Sequence, residues 1–262
     1  MAPRVKQGGR RSDTATRRSE LGGDQVEGRR AVRELLAAGT RAVRTVTIAD
    51  SMERSDLLDE IIELAGARLR HAPAAKVAAL ARTEAHQGVV ATADALVPAD
   101  LADLARHPRP FLLALDGVTD PGNLGAVLRT ADTAGVTGVI VTRHRSAHVT
   151  PTVAKAAAGA IEYVPIALVA GIPNALERLK RERIWSVALD GDGDTALDDL
   201  ALATEPLVLV LGAEGRGVSR LARERCDVHV RIPMHGHIDS LNVAAAAAIA
   251  MHSIATRRTA LP

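Results

Sequence analysis

The chain has 262 residues, of which 47% are hydrophobic and 24% are charged, an ordinary composition for a globular protein. No apolar run approaches the roughly 20 residues that span a bilayer, and the polar N-terminal segment lacks the apolar core of a secretory signal. Because Cys226 is the single cysteine, no internal disulfide can form, and we expect a cytoplasmic protein without a membrane partner.

The net charge of +2 is unevenly distributed along the chain. Residues 1–20 carry six basic side chains, Arg10 and Arg11 among them, against two acidic ones. A basic segment with few apolar residues is typically disordered and often contacts nucleic acid, although a solvated tail without a role has the same composition. We therefore expect residues 1–23 to form a basic disordered arm.

Aromatic side chains are almost absent, since Phe111, Tyr163 and Trp185 are the only three. Many proteins that bind single-stranded RNA stack bases on aromatic platforms. The sequence therefore disfavours a binding module of that kind. An RNA ligand would have to be held by arginines, backbone amides, hydroxyls and phosphate contacts.

Residues 24–97 contain helical and strand patterns that predict a small α/β domain. In chain order the patterns are a helix over 31–36 ended by Gly39, a strand over 43–48, helices over 57–65 and 76–81, and a strand over 88–93. Residues 98–109 contain Pro98 and Pro108, which indicate a linker.

Residues 110–262 alternate apolar strands with helical segments, which predicts an α/β domain built on a parallel sheet. The predicted strands are 111–116, 136–142, 163–168, 184–189, 207–211 and 228–232. Ligands of such sheets bind at the carboxyl ends of the strands. Three notable segments begin at strand ends, at Asp116, Gly212 and Pro233, so we expect them to converge on one site.

The usual nucleotide and metal fingerprints do not fit these segments. The chain contains neither the dinucleotide-binding glycine pattern after a strand nor a P-loop. The acidic run 190–194 lacks the glycine and glutamate of a calcium loop, and His235 and His237 have no third ligand nearby, so we expect no metal site. Glycines 212, 215 and 217 could admit a ligand close to the backbone or simply cap a strand.

Three segments together resemble the SpoU/TrmH branch of the SPOUT RNA methyltransferases. They are Leu-Asp-Gly-Val-Thr-Asp-Pro-Gly-Asn-Leu-Gly-Ala-Val-Leu-Arg-Thr-Ala-Asp from Leu115, Leu-Val-Leu-Val-Leu-Gly-Ala-Glu-Gly-Arg-Gly from Leu207, and Ile-Pro-Met-His-Gly-His-Ile-Asp-Ser-Leu-Asn-Val from Ile232. Four shorter segments are similar to the subgroup that methylates a guanosine 2′-hydroxyl of 23S rRNA. They lie at 26–32, 86–91, 155–162 and 224–227.

The resemblance implies a fold, a cofactor and an assembly. It implies that residues 110–262 form a SPOUT domain with a deep trefoil knot, preceded by a ribosomal-protein-like α/β domain that binds the RNA substrate. It implies S-adenosyl-L-methionine as cofactor and a homodimer. It implies methyl transfer to a ribose 2′-hydroxyl. The run of alanines at 244–248 predicts a closely packed helix, either at the dimer interface or as a plain surface run.

The resemblance also implies catalytic residues. They are Asn123, Arg129, Glu214, Ser240 and Asn242. Arg129 would lie nearest the hydroxyl proton, either as a base or as a phosphate clamp that stabilises the alkoxide. Since a guanidinium stays protonated in proteins, the clamp is the chemically easier role. Asn123 and Ser240 each precede a helical segment, so helix capping is an alternative role for both.

Further contacts follow from the same resemblance. Gly212, Ile232 and Leu241 would hydrogen-bond the adenine end of the cofactor through their backbones. The remaining predicted cofactor contacts are Leu211, Gly217, Met234 and Val243. The predicted RNA contacts are Arg29, His86 and Gln87, although a histidine at a strand start is often purely structural, and Arg10 and Arg11 of the basic arm, which lies outside the resemblance.

Several alternatives share these motifs. The same chemistry could act on tRNA or on another rRNA site, including one that confers antibiotic resistance. A non-catalytic RNA-binding or ribosome-assembly protein could keep a vestigial site, but the intact catalytic residues argue against that. Nothing around Cys226 resembles the activating motif of a nucleophilic cysteine, so we predict a packing role for it.

Overall fold

The computed structural model describes residues 21–144, 146, 148–238 and 240–259, so Arg10 and Arg11 lie outside the described residues. The strands are β1 (Gln25–Glu27), β2 (Val43–Ala49), β3 (Leu69–Ala72), β4 (Val89–Ala93), β5 (Phe111–Asp116), β6 (Gly138–Thr142), β7 (Ile166–Val169), β8 (Trp185–Leu189), β9 (Thr195–Ala196), β10 (Leu207–Gly212) and β11 (Val228–Arg231). The helices are α1 (Arg29–Ala38), α2 (Asp56–Ala65), α3 (Ala74–Leu80), α4 (Leu101–Ala105), α5 (Pro121–Thr133), α6 (Pro151–Ala156), α7 (Ile172–Arg181), α8 (Arg220–Arg225) and α9 (Val243–Thr259).

The N-terminal sheet has the strand order β1-β4-β2-β3. Strand β4 is antiparallel to β1 and β2, whereas β2 and β3 are parallel. The sequence pattern misses β1 and β3 because both are short and carry polar residues. Glu27 in β1 is fully buried, and its carboxylate accepts hydrogen bonds from the backbone amides of Arg82 and Thr83. These amides, from residues distant in the chain, satisfy a carboxylate that the hydrophobic pattern would have placed on the surface.

The second sheet has the order β7-β6-β5-β10-β8-β11-β9, and all of its described strand pairs are parallel. This confirms the predicted α/β class with a large parallel sheet. Side chains of β5 alternate between two cores, because Leu113 packs with α5 and α9 whereas Leu112 packs with α7. Helices on both faces explain why the strands are almost continuously apolar.

Two predicted details of this sheet differ in the structure. The strand predicted over 163–168 begins only at Ile166, because Ala160–Glu162 forms a short 3₁₀ turn before it. The two-residue strand β9 was not predicted. It follows the acidic run 190–194 and pairs with β11, so it depends on tertiary contact rather than on its own pattern.

Helix α5 begins earlier than the sequence predicts. Asp120 is its N-cap residue, since its side chain accepts a hydrogen bond from the Asn123 backbone amide at 2.7 Å. Pro121 then occupies the first turn of the helix, where the missing N–H of proline breaks no helical hydrogen bond. The capping role considered for Asn123 is therefore wrong, and the Asn123 side chain is left available for other contacts.

Both segments predicted as flexible connections contain ordered residues. Leu21 is buried, and the backbone of 21–23 exchanges hydrogen bonds with Val149 of the C-terminal half. Within 98–109, the Ala99 amide donates to the Ile166 carbonyl, and α4 packs beside α7. Among the described helices, none is both long enough and apolar enough to cross a membrane.

Asp227 ties α7 to the start of β11. Its carboxylate accepts hydrogen bonds from Lys180 Nζ at 2.6 Å and from the Ser186 hydroxyl at 2.7 Å. Burial acts to raise the pKa of Asp227, but these hydrogen bonds outweigh it and hold the pKa below its ordinary value. A carboxyl of this kind stabilises the fold above its unfolded pKa of about 3.9, and this contribution is lost as the pH falls.

Asp227→Asn is expected to lower the free energy of unfolding by about 1–2 kcal/mol at pH 7 and by less at pH 3, because protonation weakens the same bonds in the wild type. Urea unfolding at both pH values measures the difference. Asp192→Asn, at an exposed position of the acidic run, is the control and should change neither value. An Asp227→Asn loss that is equal at pH 7 and pH 3 would contradict the assignment.

Candidate functional site

The three segments that carry the resemblance meet at the carboxyl edge of the large sheet. Gly212 ends β10 directly beside Asp116, which ends β5. The Asp116 carboxylate accepts a hydrogen bond from the Ser219 amide at 2.9 Å, which fixes the chain after the glycine-rich loop. Strand β11 ends at Arg231, just before the third segment. The convergence predicted from parallel strands is therefore present.

The glycine-rich loop folds back onto the end of its own strand. Ala213 and Gly217 exchange backbone hydrogen bonds of 3.1 and 2.8 Å, which close a tight hairpin. Gly217 has a φ of 64°, in the left-handed region that favours glycine. A Cβ added to Gly212 would overlap the carbonyl carbon of Gly217. Only glycine fits at position 212 because backbone packs there directly on backbone.

A chain of polar side chains joins all three segments. Asn242 Nδ2 donates to Asn123 Oδ1 at 3.0 Å, and Asn123 Nδ2 donates to Glu214 Oε2 at 3.4 Å. Each amide nitrogen keeps a second N–H that no hydrogen bond among the described residues uses. Three of the five predicted catalytic residues therefore form one polar cluster with free donors.

Asn242 also begins the last helix. Its Oδ1 accepts hydrogen bonds from the Ala244 amide at 2.9 Å and the Ala245 amide at 3.4 Å. Asn242, rather than Ser240, is therefore the residue that caps α9. Ser240 is exposed in the loop before the cap.

The residues predicted to hold the cofactor differ in exposure. The side chains of Leu211 and Val243 belong to the core, and that of Ile232 packs partly against it. These three could reach a ligand only through their backbones. Met234 and Leu241 are 40% and 38% exposed, and the neighbouring Ile238 is 71% exposed. An apolar surface therefore lies beside the polar cluster.

Arg129 is separated from the polar cluster along helix α5. It is on the same helix as Asn123, six residues later, which is about 9 Å along the axis. It lines a cleft of about 1050 Å³ between the N-terminal domain and helices α5 and α6. Arg29, His86 and Gln87, the predicted RNA contacts of the N-terminal domain, line the same cleft. The structure thus brings these four residues together.

The loop over residues 86–88 is held in an uncommon backbone conformation. Gln87 has a φ of 53°, rare for a residue with a side chain, and its Oε1 accepts a hydrogen bond from the Arg29 amide at 3.1 Å. His86 Nδ1 accepts from the Gly88 amide at 3.1 Å. The proton of a neutral His86 ring is therefore on Nε2, where it can be donated to a ligand.

Sequence reasoning missed Lys155 as a residue of the cleft. It projects from α6, which packs directly against α5. The helices are so close that a Cβ added to Gly125 would overlap the Cβ of Ala156. Neither Lys155 nor Arg129 forms an ion pair with any described residue. Two uncompensated cations on adjacent helices favour an anionic ligand. The signal available in the sequence was the lysine that opens the segment 155–162.

A second cavity, of about 1150 Å³, was also missed. It lies at the carboxyl ends of β5, β6 and β10, and its lining includes Gly217, Arg216 and Arg220. Of the predicted cofactor contacts, Gly217 lines it. The cavity therefore lies next to the glycine hairpin, on the side of β5 and β6.

Cys226 has the environment of a packing residue. Its Sγ donates to the Ala222 carbonyl at 3.2 Å, and burial raises the pKa of the thiol to about 12, with further contributions from Asp227 and Asp116. A thiol of this kind does not supply a nucleophilic thiolate near neutral pH. In the described part of the chain, no group of three or more His, Cys, Asp or Glu residues is arranged to hold a metal ion.

Two protein families match this chain in succession. The SpoU rRNA Methylase family matches residues 110–252, and the RNA 2′-O ribose methyltransferase substrate-binding family matches residues 25–99. A protein of Staphylococcus saprophyticus, assigned to the TrmH family of tRNA/rRNA methyltransferases, is 36% identical over 89% of this chain and 95% of its own. The 23S rRNA (guanosine-2′-O-)-methyltransferase RlmB of Ralstonia nicotianae is 44% identical over 76% of this chain and 81% of its own.

A solved structure shares the architecture. The SpoU methyltransferase AviRb of Streptomyces viridochromogenes, crystallised with S-adenosylmethionine, superposes with a TM-score of 0.76 at 27% identity. The match covers 96% of this chain and 99% of the other. The similarity therefore extends over both sheets and is not limited to the three segments.

Gly212→Ala is expected to abolish binding of S-adenosylmethionine, because the added methyl group would overlap the Gly217 backbone and force the hairpin open. Gly191→Ala is the matched control, since its Cβ would meet no atom within 4 Å. Isothermal titration calorimetry measures the affinity of both variants. Wild-type affinity in Gly212→Ala would exclude the hairpin from the cofactor site.

Proposed function

Because this chain belongs to the SpoU rRNA methylase family, we propose that it methylates the ribose 2′-hydroxyl of a guanosine in 23S rRNA. It is an S-adenosylmethionine-dependent RNA 2′-O-methyltransferase. The choice of the methyl-transfer site rests on one observation, the hydrogen-bonded chain Glu214–Asn123–Asn242 that links the three segments. The 23S substrate is supported by the RlmB relatives and by the matched substrate-binding domain.

The residues present suit the cofactor. An adenosyl group has an apolar ring and polar edges, and the exposed Met234 and Leu241 side chains lie close in sequence to the polar cluster at Asn242. No side chain fits at Gly212, so this residue can contact the adenosyl group only through its backbone. We propose that Gly212, Ile232 and Leu241 hold the adenine end through their backbones. When bound, S-adenosylmethionine supplies a methyl group on a positively charged sulfur.

Each polar residue then has a separate task. We assign to Glu214 the orientation of the Asn123 amide, because its carboxylate accepts the amide proton. The unused N–H groups of Asn123 and Asn242 donate to the substrate ribose or phosphate, and Ser240 lies beside them in the loop. Holding the 2′-oxygen in line with the methyl group accounts for much of the acceleration in such a displacement.

Arg129 handles the charge that develops on the ribose oxygen. Its guanidinium grips the adjacent phosphate with two parallel N–H groups and stabilises the alkoxide while the hydroxyl proton leaves to solvent. The cleft that contains Arg129 also contains Arg29 and Lys155, which favour a polyanionic strand. His86 and Gln87 add hydrogen-bond donors without any aromatic platform.

The proposal includes an assembly and a location. A homodimer is supported by exposed apolar side chains on the loop and on α9, Ile238 and Ile249, which a second copy would cover. The two family matches support separate domains over 24–97 and 110–262. A trefoil knot at the third segment, a cytoplasmic location and metal-free chemistry complete the proposal.

Methyl transfer to 23S rRNA is expected for the wild type and not for Arg129→Ala or Arg129→Lys, because an ammonium group lacks the two-pronged geometry of a guanidinium. Tritiated S-adenosylmethionine with unmodified 23S rRNA, 16S rRNA and bulk tRNA measures transfer, and resistance to alkaline cleavage locates the 2′-O-methyl group. Arg181→Gln, on α7, is a control that should keep full activity.

Each other outcome of that assay has a defined meaning. Label in tRNA alone would retain the chemistry and overturn the substrate. Full activity in either Arg129 variant would overturn the role of Arg129. No label on any RNA, with cofactor bound, would overturn naked RNA as the substrate, and the same assay on ribosomal precursor particles would then decide whether the protein is an enzyme.

Arg29→Gln is expected to weaken RNA binding for all sequences and to reduce the slope of log affinity against log salt by about 1, because one phosphate contact is lost. Filter binding at several salt concentrations measures the slope. Arg181→Gln should leave it unchanged, because Arg181 does not line the cleft. An unchanged slope in Arg29→Gln would exclude Arg29 from the RNA surface.

A further inference from the structure

A buried ion pair joins the two halves of the molecule. Arg41 lies between α1 and β2 of the N-terminal domain, and Glu162 ends the 3₁₀ turn after α6. Arg41 Nε and Nη2 donate to the two Glu162 carboxylate oxygens at 2.9 and 2.6 Å. The side chains are only 7% and 0% exposed. A two-pronged pair of this kind fixes both distance and orientation.

Arg41 is also fixed within its own domain. Its Nη1 donates to the carbonyl of Asp94 at 2.7 Å and to the carbonyl of Gly23. The guanidinium therefore uses one edge to hold N-terminal backbone and the other to hold Glu162. Because the group is planar and rigid, it holds Glu162 in a fixed position relative to the carbonyls of Gly23 and Asp94.

A second contact lies beside this pair. Gly159 packs so closely on α1 that an added Cβ would overlap the Cβ of Glu34. The Tyr163 hydroxyl donates to Glu34 Oε2 at 2.7 Å, and this hydrogen bond raises the pKa of Tyr163 to about 12. Residues 155–163, which we call the joint segment, thus contact the N-terminal domain at three positions.

The other end of the joint segment reaches the cleft. Lys155 lines the cleft with Arg129, and a Cβ on Gly28 would lie 3.7 Å from Lys155 Cγ. Ala158 also lines the cleft and has a φ of 51°, an uncommon value for alanine. The same nine residues therefore connect the ion pair to one wall of the cleft.

We propose that the joint segment positions the N-terminal domain over Arg129, and that Arg41 and Glu162 are positioning residues for the RNA substrate. The inference rests on the proposed function. The joint segment and α1 also belong to one hydrophobic core, and an apolar interface of this kind restricts the relative motion of domains. A rigid joint presents Arg29, His86 and Gln87 at a fixed distance from Arg129, so RNA binding need not order the cleft first.

Two kinds of variant test the joint. Arg41→Met combined with Glu162→Leu removes both charges, which avoids leaving an unpaired buried charge. Gly159→Ala should push the joint segment away from α1 without removing any charged group. Gly39→Ala is its matched control, because Gly39 also has a left-handed φ, of 60°, but has open space around it. Arg41→Lys tests rescue, since a lysine keeps the charge and loses the fork.

Three measurements are made on each variant. Spin labels at Glu84→Cys and Glu182→Cys, one in each domain, report the interdomain distance in a Cys226→Ala background. Steady-state kinetics on 23S rRNA give KM and kcat, and calorimetry gives the affinity for S-adenosylmethionine. We expect broadened distances and a KM for RNA raised about tenfold in both joint variants, with cofactor affinity unchanged. Gly39→Ala should match the wild type, and Arg41→Lys should fall between.

Opposite results overturn the proposal. A lower Tm in the joint variants with wild-type distances and a wild-type KM for RNA would give the ion pair a purely structural role. If the wild type transfers no methyl group, the proposed function fails instead. The interdomain distances then test the proposed joint independently of activity. A narrow distance distribution in the joint variants would overturn the joint even if no methyl group is transferred.

Discussion

The contact between the backbones of Gly212 and Gly217 is the constraint on which the site depends. It forces the chain to turn back at the end of β10, so the Glu214 side chain is held beside Asn123. The Asn123 amide in turn engages Asn242, which caps α9. The helix cap, the polar cluster and the glycine-rich loop therefore share the same few atoms. The stability of α9 and the geometry of the cluster are coupled, because Asn242 begins the helix and also completes the cluster.

Helix α5 connects the polar cluster to the cleft between the domains. Asn123 in its first turn belongs to the polar cluster, whereas Arg129 lines the cleft between the domains. Gly125 lies between them and allows α6 to pack directly on α5, which brings Lys155 to the same cleft. The position of the N-terminal domain then depends on the segment that follows α6. One continuous stretch of packing thus runs from the glycine-rich loop to the Arg41–Glu162 pair.

Much of the fold follows from local sequence. Six strands of the large sheet were predicted, because strands buried on both faces are continuously apolar. The pattern missed β1, β3 and β9, which are short or polar and exist through their partners. The cap of α5 was misplaced by three residues, since Asp120 and Asn123 both suit that role and only the backbone geometry distinguishes them.

The sequence alone determined the α/β class, the convergence of three loops at the strand ends and the family. The first two follow from the hydrophobic period and from the common direction of parallel strands, and the family follows from the resemblance of the three segments. Tertiary structure decided which polar groups meet: that Glu214 and Asn242 share Asn123, that Arg129 faces Arg29 and His86, and that Glu162 is paired with Arg41, 121 residues away. Such pairings join residues that are distant in the chain, and no local pattern encodes the distance between them.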